Sequence, residues 1–178
     1  MILKIKTNNI HIKEKKYILN VLFVDILKLK IKYEYTSENI FEIILPNNKK
    51  IVIPDIFFDL YKNEKEWTKY NYPQSCFNTT IDLENKHNLF GIYGTKDILL
   101  DNHHVSIGND IIGTAFVFLA RLEELNNNQD KFNRYQYKNS LAYRFDIITR
   151  PIVNEYIDFF KEVIKLLCPG FKFKKYKF

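Results

Sequence analysis

The sequence is short of the residues that mark specialised classes of protein. It has 2 cysteines, Cys76 and Cys168, in 178 residues. That is too few for a disulfide scaffold. No C-x-x-C pair and no Cys/His set at zinc spacing is present, so two free thiols in a reducing compartment are expected. Only 5 Gly and 5 Pro exclude a collagenous or linker-like chain. The longest uncharged apolar run, residues 111–120, is about half the length that spans a bilayer. Residues 1–16 carry charge but no apolar h-region, so they are not read as a secretory signal. A cytoplasmic protein with no membrane partner is the expectation. Arginine is scarce as well: Lys and Arg total 27, yet Arg occurs only at Arg121, Arg134, Arg144 and Arg150.

What remains is 46% hydrophobic, 16% aromatic and 27% charged, enough at this length for one domain with a real core. The net charge of +6 comes with a general excess of Lys, Asn, Ile, Phe and Tyr, residues with AT-rich codons. It is therefore read as solvated surface, with an acidic partner such as nucleic acid or an anionic glycan as the lesser reading.

Residues 2–6 and 31–35 alternate as strands do, and residues 13–29 follow helical spacing. Residues 41–45 and 50–53 form a predicted hairpin around Pro46-Asn47-Asn48. A short helix is expected after Pro54-Asp55. Residues 74–90 are the least legible stretch. Short strands are expected at 89–93, 98–100 and 104–107. Asp110 is a predicted N-cap of a helix over 110–125, residues 141–148 are read as a strand, and 152–167 as a second strong helix between Pro151 and Pro169-Gly170. Together these predict an α+β fold: a mixed β-sheet with several packed helices in a single domain over residues 1–170, followed by a linker or disordered tail at 171–178.

The chemistry-bearing residues cluster around the arginines. Glu123 and Glu124 stand where a helix should end, facing the negative end of its dipole. Guanidinium groups neutralise carboxylates well because their planar fork makes paired bonds. In this cluster, which also holds Arg121, Glu123 or Glu124 is therefore expected to meet Arg134, Arg144 or Arg150, with Asp130 and Asp146 as further candidates, in a structural network; a site for an anionic or sugar-like ligand is the alternative. Trp67, Tyr70 and Tyr72 form an aromatic stretch able to stack on sugar rings or bases, with core packing as the plainer reading. His103-His104 point to opposite faces if they lie on a strand, and no third ligand is near, so no metal is expected. No nucleophile-elbow, zinc-protease or phosphate-loop motif occurs. Neither a catalytic residue nor a cofactor is assigned.

Several of these strings also occur together in a known setting. Residues 53–58 (IPDIFF), 110–113 (DIIG) leading to 118–124 (FLARLEE), 130–135 (DKFNRY) and 150–156 (RPIVNEY) resemble, in that order, an uncharacterised N-terminal domain that precedes a polysaccharide-deacetylase-like domain in some bacterial proteins. The similarity spans roughly residues 10–178. Ala120 and Leu122 stand where such domains usually carry Ser and Tyr, and Asn133 stands where Gly is common. The resemblance implies that the basic tail leads into a deacetylase barrel whose metal-binding motifs lie beyond residue 178. It implies a non-catalytic accessory role for these residues, with that catalytic domain and a glycan as partners. A stand-alone glycan-processing enzyme using paired carboxylates among Glu123, Glu124 and Asp130 is a second reading. A basic nucleic-acid-binding module is the third and least favoured.

Overall fold

The computed structural model describes residues 2–62, 73–125, 130–132 and 134–173. Its centre is a six-stranded mixed sheet built from β1 (Ile2–Thr7), β2 (Lys30–Tyr35), β3 (Ile40–Ile44), β4 (Lys50–Pro54), β7 (Gly94–Leu100) and β8 (His104–Asn109), in the order β2-β1-β3-β4-β8-β7. The pairs β1/β2 and β4/β8 are parallel, and β1/β3, β3/β4 and β7/β8 are antiparallel. Strands β5 (Phe77–Asp82) and β6 (Lys86–Gly91) form a separate antiparallel hairpin. Five α-helices complete the described fold: α1 (Ile12–Leu19), α2 (Phe57–Leu60), α3 (Ile111–Leu119), α4 (Leu141–Arg144) and α5 (Ile152–Leu167). The protein is a single α+β domain.

Local chemistry explains most of these elements. In β3 and β4 alternate residues face the core: Phe41, Ile43, Ile51 and Ile53 are fully buried. Asn48 turns the chain between them at φ 64°, a left-handed conformation that Asn tolerates. Helix α5 buries Tyr156, Phe159, Phe160, Val163 and Ile164 along one stripe, and Phe160 packs edge-on against Phe23 at 4.8 Å between ring centroids. Tyr156 donates its hydroxyl to the Phe90 carbonyl at 2.6 Å, which ties α5 to the β5–β6 hairpin.

The segment over 13–29 is helical but not uniform. After α1 it widens into a π-helix, Asn20–Ile26, before Lys28 turns at φ 57°. Helix α3 stops at Leu119; Arg121 then takes φ 51°, and Leu122–Leu125 form a separate 3₁₀ turn. The apolar period runs on through this break because Leu122 is still buried. Residues 141–148 hold a short helix and turns instead of a strand, because Ser140 accepts the Tyr143 amide as an N-cap. Residues 74–90 contain most of the β5–β6 hairpin, whose pattern of buried Thr79 and Ile81 is short and polar between. Phe171 and Phe173 meet edge to face at 4.8 Å between ring centroids and pack against the core.

A buried polar centre joins three of the elements. Lys15 on α1 and Asp55 at the β4–α2 joint form a salt bridge with both side chains fully buried. Asn8 braces the pair: its Oδ1 accepts from Lys15 Nζ at 2.5 Å, and its amide donates to Asp55 Oδ2 at 3.3 Å and to Asn39 at 3.0 Å. The Lys15 ammonium also lies over the rings of Phe41 and Phe58, at 5.6 and 5.4 Å. Beside it Asp110, also fully buried, accepts the amides of Ile56 at 3.0 Å and Phe57 at 2.9 Å through Oδ2, and that of Gly113 at 2.7 Å through Oδ1. One carboxylate thus meets the first turns of both α2 and α3. Gly113 has to be glycine here: a Cβ would come within 2.5 Å of Asp110 Oδ2 and of Phe57 Cβ.

Candidate functional site

The arginines and acids singled out in the sequence fall into separate local groups. Glu124 pairs with Arg121 one turn before it. Asp130 accepts Arg134 Nε at 3.0 Å and Nη2 at 2.9 Å, and the same carboxylate accepts the amides of Phe132 and Arg134 at 2.8 and 3.0 Å, closing a compact turn. Both guanidinium groups are largely exposed. Glu123 meets backbone: its Oε2 accepts the Leu141 amide at 2.7 Å, at the first turn of α4. Burial pushes its carboxyl above the usual glutamate range, and this amide, Arg121 and Arg144 pull the other way. Arg144 closes α4, and Asp146 turns the chain at φ 54° just after it. Trp67, Tyr70 and Tyr72 lie outside the described residues. On the β7–β8 turn, the His103 and His104 amides both donate to Asp101 Oδ1, at 2.6 and 2.8 Å, and His104 Nδ1 lies 2.9 Å from Asp101 Oδ2.

Arg150 stands apart from the others. It sits just before α5 and holds three groups through four hydrogen bonds. Nε and Nη2 donate to Glu155 at 3.1 and 2.6 Å, Nη1 donates to Asn78 Oδ1 at 2.9 Å, and Nη2 also donates to the Asn88 carbonyl at 2.8 Å. Its guanidinium carbon lies 5.9 Å from the Phe90 ring centroid. The two-pronged bond to Glu155 raises its already high pKa further. Arg150 therefore clamps the start of α5 onto the β5–β6 hairpin.

Between that hairpin and α5 runs an open cleft of about 840 Å³. Arg150, Asn78 and Glu155 lie at one part of its lining, and Asp158, Lys161 and Glu162 follow along α5. Glu162 is tied to the hairpin through Asn85, whose backbone and side-chain amides donate to Oε1 at 2.9 and 2.7 Å, and through His87, which bonds Oε2. His87 packs edge-on to Phe159 at 5.9 Å. Burial works to raise the Glu162 pKa, but the bonds from His87 and Asn85 outweigh it and hold the carboxyl below the usual glutamate range.

That shift has a sign. A carboxylate with a depressed folded-state pKa contributes stability that is present above the ordinary glutamate range and is lost as pH falls through the folded-state value. Glu162→Gln should therefore lower Tm at pH 7, with the gap to the parent protein closing below about pH 4. Thermal melts from pH 3 to 7 measure this, and a gap that stays constant over the whole range contradicts the assignment.

The cleft residues His87, Asn78, Asn88 and Glu162 carried no local signal in the sequence, and Glu155 appeared there only inside the 150–156 string. They come from two segments about seventy residues apart, and only Arg150 had been marked by its scarcity. Among the described residues no group of three or more His, Cys, Asp or Glu side chains is placed to hold a metal ion, and no helix is long and apolar enough to cross a membrane.

Fold and cleft define a small α+β domain with a charged groove between a β-hairpin and its longest helix. Residues 3–169 match the model of a family of unknown function, DUF7033, and the chain belongs to that family. No curated protein and no solved structure matches it.

Proposed function

We propose that the chain is a non-catalytic accessory domain of a bacterial polysaccharide-deacetylase-like protein, and that its cleft receives glycan for a catalytic domain outside these residues. Three features support the reading. The ordered strings in the sequence resemble the domain that precedes such catalytic domains. The cleft, at about 840 Å³, falls in the size range of ligand sites and is open enough for a chain. Its lining carries amide, carboxylate and ammonium side chains, among them Asn88, Asp158 and Lys165, which can hydrogen-bond sugar hydroxyls.

The observation that carries the proposal is Arg150. Glu155, Asn78 and Asn88 fix its guanidinium at the cleft wall, so a ligand meets a preorganised surface. The carboxylates considered for catalysis are engaged elsewhere: Glu123 with the Leu141 amide, Glu124 with Arg121 and Asp130 with Arg134. The cleft also alternates Lys161 and Lys165 with Asp158 and Glu162, a mixture that suits a neutral polar chain better than a polyanion.

Isothermal titration calorimetry with a tetramer of N-acetylglucosamine tests the proposal. The protein should bind the oligomer. Arg150→Met should weaken binding at least tenfold, the equivalent of about 1.4 kcal/mol. Asp158→Ala, at an exposed position that leaves the fold intact, should weaken it by a smaller factor. Absence of binding, or binding that both variants leave unchanged, overturns the proposal.

A further inference from the structure

The buried centre around Lys15 brings an amine, a primary amide and a carboxyl into contact. Lys15 Nζ donates to Asn8 Oδ1 at 2.5 Å and to Asp55 Oδ2. Asn8 Nδ2 donates to the same Asp55 oxygen at 3.3 Å and to Asn39 Oδ1 at 3.0 Å. The Asn8 carbonyl therefore faces the amine, and its amide nitrogen faces the carboxyl. Given the 2.5 Å contact and a carbonyl bond of about 1.2 Å, the amine lies at most about 3.7 Å from Asn8 Cγ, close to the separation from which a nucleophile attacks. Oδ1 also accepts the Ile10 amide at 3.0 Å. A fixed donor thus already points at the oxygen on which charge develops during such an attack.

The surroundings favour this chemistry. Lys15, Asp55 and Asn8 are 0%, 1% and 5% exposed, and the rings of Phe41 and Phe58 flank the amine, so water does not compete for the amide carbon. A buried ion pair is costly to keep. Transfer of one proton from Lys15 to Asp55 along their hydrogen bond removes both charges at once. Burial lowers the Lys15 pKa and raises that of Asp55, and both shifts favour the neutral pair against the mutual attraction of the charges. Asp55 Oδ1 is buried without a hydrogen bond, which an uncharged carboxyl tolerates better than a carboxylate.

We infer that Lys15 and Asn8 join in an intramolecular isopeptide bond, with Asp55 as the proton relay. The Lys15 ammonium first passes a proton to the Asp55 carboxylate. The freed Nζ electron pair attacks Asn8 Cγ, and the carbonyl electrons move onto Oδ1, where the Ile10 amide holds them. Asp55 delivers its proton to Nδ2 and takes one from Nζ. The carbonyl re-forms, the Cγ–Nδ2 bond breaks and ammonia leaves. Charge and protons balance: an ammonium, a carboxylate and a primary amide become a secondary amide, a neutral carboxyl and ammonia. No oxidant or cofactor is needed. The ion pair is the reactant, and protein that has not reacted retains it. The product tethers the end of β1 to α1. None of these residues lines the cleft, so the inference is independent of what the cleft binds.

Intact-mass spectrometry of the full chain, on isolation and after several days at neutral pH, tests this. A species about 17 Da lighter than the sequence mass, the mass of ammonia, should be present or accumulate. Its tryptic fragments should include residues 7–13 joined at Asn8 to residues 14–16 at Lys15. Asn8→Ala, which leaves the Lys15–Asp55 pair in place, should keep its full mass. Asp55→Asn, which keeps the shape and loses the relay, should keep its full mass too. Full mass throughout in the parent protein overturns the inference. So does a loss of ammonia that maps to another asparagine, or a loss of about 18 Da, the mass of water, that maps to an amide between Lys15 and Asp55. Loss of ammonia from Asp55→Asn as fast as from the parent overturns the relay.

Discussion

Asp55→Ala should destabilise the domain by about 3–5 kcal/mol, because it leaves the Lys15 ammonium buried without its counter-charge. For a chain of this length that lowers Tm by on the order of 10 °C. Lys15→Ala should cost a similar amount, since it strands Asp55, which already has one carboxylate oxygen, Oδ1, buried without a hydrogen bond. Burial pushes the Lys15 pKa down and the Asp55 pKa up, and each partner's charge opposes the shift of the other. Charge removal therefore matters more than shape. The double variant Lys15→Met, Asp55→Leu takes both charges out together and should recover most of the loss. Asn8 keeps Asn39 and the Ile10 amide as partners in that variant. Denaturant unfolding of Lys15→Met, Asp55→Leu and their double closes the cycle. A double whose loss equals the sum of the two single losses would contradict the picture of a coupled buried pair.

The second large effect concerns Asp110. Asp110→Ala removes the acceptor for three amides, those of Ile56, Phe57 and Gly113, at the starts of two helices. Loss of the α3 cap alone costs about 1 kcal/mol, and each buried donor left unsatisfied costs about 1–3 more. A total of about 3–7 kcal/mol is expected. Asp110→Asn keeps one acceptor oxygen and should cost less.

The pH dependence separates the two states of this carboxyl. Burial raises its pKa to about 7, against the lowering effect of the amides it accepts, and Asp55 nearby adds to the rise. A carboxyl raised in the folded state contributes stability that is fully present below its unfolded pKa of about 4 and is lost as pH rises through the folded value. The Tm gap between the parent protein and Asp110→Asn should therefore be larger at pH 5 than at pH 8. A gap that widens with rising pH would mean that Asp110 is held ionised.

Legibility in the sequence followed the range of the interactions. Helix α5 was plain because its buried residues repeat on one face, and Pro151 and Pro169-Gly170 bracket it. The β3–β4 hairpin was plain because alternation and turn residues agree. Asp110 was read as an N-cap from its place before an apolar run, and it does accept Gly113; its second role, at α2, joins residues more than fifty positions away and leaves no local trace. Lys15 looked like one more lysine on the polar side of a helix. Its partner is forty residues on, so only the fold reveals the pair. The β5–β6 hairpin was obscure because its strands present Asn, Lys and His to the cleft and bury few large residues.

The candidate site divides in the same way. Scarcity drew attention to arginine, and scarcity cannot tell a clamp from a surface pair. Arg121 and Arg134 pair with acids three or four residues away, which local sequence can describe. Arg150 holds the hairpin through Asn78 and Asn88, more than sixty residues earlier, and this long reach is what creates the cleft. The strings behind the family resemblance meet in two places that their order did not disclose. Asp55, Asp110 and Gly113 surround the buried centre, and Arg150 and Glu155 form the cleft wall.

The most direct test of the proposed role is to locate the ligand on the protein. A ¹⁵N-labelled sample titrated with N-acetylglucosamine tetramer should show amide shift changes centred on Asn78, Asn85–Leu89 and Arg150–Glu162, the two walls of one groove. Changes centred instead on Arg121–Glu124 and Asp130–Arg134, or no changes at saturating oligomer, would contradict it.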